Sequence, residues 1–130
     1  MGMLSRTGRA LAAAALAAIA LAPATPAAAQ SYKQSWALCV GTAPQPAIAA
    51  CTRLLTRFRM SRANRAIAYN NRGNAYGDLK QHRKAIADYD RAIKLNPRYA
   101  NAYNNRGNAH DAMGDYANSL KDCEHLIRLK

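Results

Sequence analysis

Cys39, Cys51 and Cys123, with His82, His110 and His125, are the side chains here best suited to metal ligation or nucleophilic chemistry. Their spacing assembles neither. Zinc ligands usually come in close pairs, such as two Cys separated by two residues, and no two of the histidines stand at such an interval. Cys123 and His125 are two apart, which on a helix points them to different sides. Asp88, Asp90, Asp111 and Asp115 have Arg or Lys neighbours and read as a solvated charged surface rather than as acid–base pairs. No phosphate-cradling Gly loop and no nucleophile elbow is present. The sequence therefore predicts no catalytic residue, no metal ligand and no cofactor, and argues against an enzyme.

The residues that stand out are amides. YNNRGNAY (69–76) recurs as YNNRGNAH (103–110), 34 residues later. Asn costs a helix roughly 0.5–0.7 kcal/mol relative to Ala at an interior site. Asn70, Asn71 and Asn74, then Asn104, Asn105 and Asn108, bear that cost twice. What an amide offers in return is a donor and an acceptor on one side chain, enough to pair with a peptide backbone of any sequence.

The elements that must position these amides are helices. Ile67, Tyr69, Gly73, Tyr76 and Leu79 recur at three- and four-residue spacings, the period of one helical face. GDLKQH then reads as a turn, and Ala85, Ile86, Tyr89, Ala92 and Ile93 make a second apolar stripe. Asn96-Pro97 stops that helix and begins the next. The pattern repeats: AIADYDRAIKL (85–95) lies over SLKDCEHLIRL (119–129). A degenerate earlier copy, AIAACTRLL (47–55), matches at an offset of 38, and nothing alternates as a strand would.

A 34-residue helix–turn–helix unit with Tyr69, Gly73, Tyr76, Ala85, Tyr89, Ala92 and Pro97 at these offsets resembles a tetratricopeptide repeat. The last unit keeps Tyr103 and Gly107 but has His110, Ser119, Cys123 and Leu126 in the other positions. The resemblance implies an all-α fold: a short solenoid of about three helical hairpins, with 30–61 a degenerate repeat, 66–99 a full one and 100–130 the terminal one. It also implies a protein–protein interaction module. In such repeats the first helix of each unit lines a concave groove, and groove Asn hold the backbone of an extended peptide. In chaperone-binding members, Lys, Arg and Asn there clamp a terminal carboxylate. By that resemblance Asn70, Asn71, Asn74, Asn104, Asn105 and Asn108 are groove candidates, with Arg72 and Arg106 one step away, either in the groove or between units. Asn that only tie adjacent helices together are the alternative.

Stacked units also decide the cysteines. Helices pack on the order of 10 Å apart, which puts Cys123 too far from Cys39 and Cys51 for the roughly 7 Å that a disulfide tolerates. Cys39 and Cys51, on the two helices of the first unit across a Pro-Gln-Pro turn, are expected to be bonded, and Cys123 to be a buried apolar side chain.

The ends carry further expectations. Arg6 and Arg9, the apolar run 11–22 and Ala27-Ala28-Ala29 read as a secretory signal peptide covering 1–29. The remaining chain is then exported, periplasmic or secreted, where a disulfide is allowed. Losing Arg6 and Arg9 takes the net charge from +12 to +10. Gln30 to Gly77 holds no acid, and Arg53, Arg57, Arg59, Arg62 and Arg65 form a basic stretch. Export argues against nucleic acid and for an anionic envelope surface or an acidic protein. Leu120, Ile127 and Leu129 on the last helix leave an apolar face through which the chain could form a homo-oligomer.

Overall fold

The computed structural model describes residues 31–130. The expected signal peptide lies outside the described residues. Six helices follow one another: α1 (Tyr32–Cys39), α2 (Pro44–Arg57), α3 (Arg62–Asp78), α4 (His82–Leu95), α5 (Ala100–Ala112) and α6 (Tyr116–Arg128). There is no strand among the described residues.

The helix ends follow local chemistry. Ser31 starts α1 with a capping box: its hydroxyl accepts from the Gln34 amide and its own N–H donates to Gln34 Oε1. Ser61 caps α3 by accepting from the Asn64 amide, and Asp115 caps α6 by accepting from the Asn118 amide. Pro44 and Pro46 fall in the first turn of α2, where missing N–H groups cost nothing. The expected Pro-Gln-Pro turn is therefore displaced: the turn is residues 40–43, and the prolines open the helix. Lys80 (φ 61°) and Gly114 (φ 76°) supply the left-handed residues of the α3–α4 and α5–α6 turns.

Short turns fold these helices into three hairpins, α1/α2, α3/α4 and α5/α6, stacked through α2 on α3 and α4 on α5. The first helices of successive units also touch, α1 to α3 and α3 to α5, whereas the second helices do not touch each other. The stack must therefore curve, with α1, α3 and α5 along the inside. This places the repeated Asn strings on the concave side of an all-α solenoid.

Packing relies on small residues and a few rings. Ala85, Tyr89 and Ala109 form one core cluster; Cys39, Ala50, Cys51, Leu54 and Ala68 form the other. Cys39 and Cys51 are bonded, with Cα atoms 4.8 Å apart. Cys123 is exposed, contrary to expectation, because no described helix covers the outer face of α6. His110, at the position of Tyr76 one unit on, is largely buried. Its Nδ1 meets Asp115 Oδ2 at 3.3 Å and braces the last turn.

The two signature glycines behave differently. A Cβ on Gly73 would lie 2.6 Å from Cε1 of buried Tyr89, whose ring is pinned because its hydroxyl donates to Asn74 Oδ1. The same atom on Gly107 would lie 3.5 Å from Asp122 Cβ, an ordinary contact, because Cys123 replaces the ring there. Gly73→Ala is expected to destabilise by about 1–3 kcal/mol. Gly107→Ala should stabilise by up to about 1 kcal/mol through helix propensity. Urea denaturation of the two variants checks the opposite signs.

Candidate functional site

The Asn strings divide by face once α3 and α5 are side by side. Asn70 is only 3% exposed and sits between the helices, where its Oδ1 accepts from Asn105 Nδ2 at 3.1 Å. The same Asn105 nitrogen donates to Asn74 Oδ1 at 3.0 Å. Tyr99 is also in hydrogen-bonding contact with Asn70, while burial pushes the Tyr99 hydroxyl above its ordinary pKa. Asn70 is thus a stacking residue: its amide ties one unit to the next, as the alternative reading of the strings had it, and it cannot reach a bound chain.

Asn71, Asn74 and Asn108 reach open space. A hollow of about 450 Å³ lies between α3, the start of α4 and α5, bordered by Asn74, Asp78, His82, Tyr89, Asn105 and Asn108. A smaller one, about 90 Å³, lies between the α1–α2 turn and α3, bordered by Thr42, Pro44, Asn71, Asn74 and Asp78. Asn74 and Asp78 border both, so the two hollows form one groove along the inner side of α3. Asn104 lies elsewhere: it lines a hollow against α6 at the far end of the stack.

Tyr89 anchors the groove floor. Burial first, and the nearby Asp78 and Asp88 carboxylates next, hold its hydroxyl well above the ordinary tyrosine range. It therefore stays protonated and keeps donating to Asn74 Oδ1 at 2.8 Å. With that oxygen accepting from both Tyr89 and Asn105, the Asn74 NH₂ is left to donate into the groove.

Arg72 and Arg106 do not line this groove. Arg72 grips the carboxylate of Asp88 with a two-point fork, Nε to Oδ2 at 2.7 Å and Nη2 to Oδ1 at 2.8 Å. Its remaining Nη1 donates to Thr52 Oγ1 of α2 at 3.0 Å, and the Tyr69 ring lies 5.5 Å from its Cζ. Arg106 repeats the fork on Asp122 and reaches back to Asp90 of α4 at 2.7 Å. Asp88 and Asp122 are buried, and a buried carboxylate requires a counter-charge. The arginines answer that demand and brace the units together.

The basic stretch is also only partly free. Arg62 donates Nε to Leu95 O and Nη2 to Lys94 O, capping the carbonyl end of α4. Arg57 and Arg59 are exposed, while Arg53 and Arg65 are half-buried.

Asp78 is absent from the sequence candidates, and His82 stands among them only as a metal ligand that the spacing rejects. The available signal was spacing: Asp78 is four residues beyond Asn74 and so shares its helical face.

The sequence pattern of the tetratricopeptide repeat matches residues 66–99, and a second pattern of that description matches 88–121. This is a tetratricopeptide repeat protein. The crystal structure of MamA is similar at 31% identity and a TM-score of 0.61, over 67% of this chain and 48% of that one. The tetratricopeptide chain thus spans about half the length of MamA. The TPR2B domain of yeast Sti1, solved in a complex with pHsp70, is similar in fold at 24% identity and a TM-score of 0.67, over 75% of this chain and 78% of that one. No curated protein matches. The tetratricopeptide repeats make the chain a protein–protein interaction module.

Proposed function

We propose that the module is exported and holds an extended peptide carrying Lys or Arg in the groove along α3. One observation carries this. Asp78, an exposed carboxylate without a partner among the described residues, stands where the two hollows meet, while the nearest arginines are locked on Asp88 and Asp122. A groove of that polarity disfavours a terminal carboxylate and favours a cation. The amides of Asn71, Asn74 and Asn108 are placed to pair with the peptide backbone on either side. So short a groove suits a micromolar partner, about −8 kcal/mol. Export is supported by the signal-peptide pattern and by the Cys39–Cys51 bond, which an oxidising compartment preserves.

Selection of peptides from a random octapeptide display library tests the reading. Captured peptides should be enriched in Lys and Arg, and Asp78→Ala with Asn108→Ala should lose them. Enrichment in acidic peptides, or capture indifferent to those two changes, would reject it. A second reading rests on exposed Arg57 and Arg59: docking on an anionic envelope surface. In that case anionic vesicles should bind the chain, release it as salt rises, and ignore the groove variants.

A further inference from the structure

The face of α5 and α6 turned away from α4 repeats the polar groups of the face of α3 and α4 that α5 covers, with Cys123 in place of Tyr89. At the 34-residue spacing, Asn104 stands where Asn70 does, Asn108 where Asn74 does, and Glu124 where Asp90 does. In the inner unit each of those groups is engaged by α5. Asn105 Nδ2 donates to Asn70 and Asn74, Arg106 Nη1 donates to Asp90, and Ala109 packs on Tyr89. In the outer unit Asn104, Asn108 and Glu124 are exposed and have no partner among the described residues. Beside them lies a hollow of about 400 Å³ walled by Ala100, Cys123, Leu126 and Leu129, and Ile127 is 70% exposed.

The residues of α5 that fill the inner site are Ala102, Asn105, Arg106 and Ala109, at spacings i, i+3, i+4 and i+7, which is one face of a helix. We infer that the outer face is a docking site for a helix of a second polypeptide with an Asn-Arg pair between two small residues, the arginine meeting Glu124 and the amide meeting Asn104 and Asn108. A second copy of the chain fits less well. Arg72 and Arg106 are locked on Asp88 and Asp122 inside the stack, and α1, the first described helix, carries no Asn-Arg pair.

The probe is a synthetic, lactam-stabilised helical peptide of residues 98–113, titrated by fluorescence anisotropy against the full chain. Saturable binding is expected. Glu124→Arg in the chain should weaken it at least tenfold, and Arg106→Glu in the peptide should restore it on that variant. Asp78→Ala, which addresses the groove along α3, should leave it unchanged, so the two sites can fail separately. The inference is overturned by absence of binding, by binding indifferent to Glu124→Arg, or by sedimentation showing that a second copy occupies the face and excludes the peptide.

Discussion

Arg72→Met should lower the stability of the chain by about 3–5 kcal/mol, the cost of leaving a buried carboxylate without its partner. Asp88 is 1% exposed and receives both prongs of the Arg72 fork. Arg91, the other cation on Asp88, is half in solvent and contributes one bond, so it cannot substitute. At roughly 4–8 °C per kcal/mol for a domain near 100 residues, the melting temperature should fall on the order of 20 °C by far-ultraviolet circular dichroism. The double change Arg72→Met with Asp88→Leu should recover most of the loss, because apolar replacement of a whole buried pair is often neutral. If Arg72→Met alone melted like the unaltered chain, the inter-helix brace would be misassigned.

Reduction of Cys39–Cys51 is the second large effect. The bond closes a loop over a sequence separation of 12, worth about 3 kcal/mol through the unfolded chain. The first unit depends on it more than its neighbours would. Its α1 has eight residues, short for a helix to hold alone, and its repeat pattern is the weakest of the three. Hydrogen exchange under reducing conditions should speed up first in α1 and α2 while α3 to α5 stay protected. Uniform loss of protection would mean that the bond supports the whole stack rather than its first unit.

Much of this architecture was legible. Tyr69, Gly73, Tyr89 and Pro97 announce a 34-residue unit because restacking a helical hairpin demands small and large residues at fixed places. The disulfide was legible too, since stacking distance left Cys39 only one partner. What could not be read was which amide faces where. Asn70 and Asn104 are identical in sequence context, yet one is enclosed by Asn105 and the other stands open, and only the presence of α5 distinguishes them. Cys123 is exposed for the same reason: a repeat slot is buried only if another unit covers it. The place of Arg72 and Arg106 is set by Asp88 and Asp122, sixteen residues on, whose burial no local pattern announces.

Binding of a basic extended peptide in the concave groove is the proposed function. Nuclear magnetic resonance of the isotope-labelled chain, titrated with a lysine-bearing octapeptide from the library selection, tests it most directly. The side-chain amides of Asn71, Asn74 and Asn108 and the backbone of Asp78 should shift together and saturate, with Asn70 and Asp88 nearly still. Shifts confined to Arg57, Arg59 and their neighbours, with the groove amides unmoved, would contradict it.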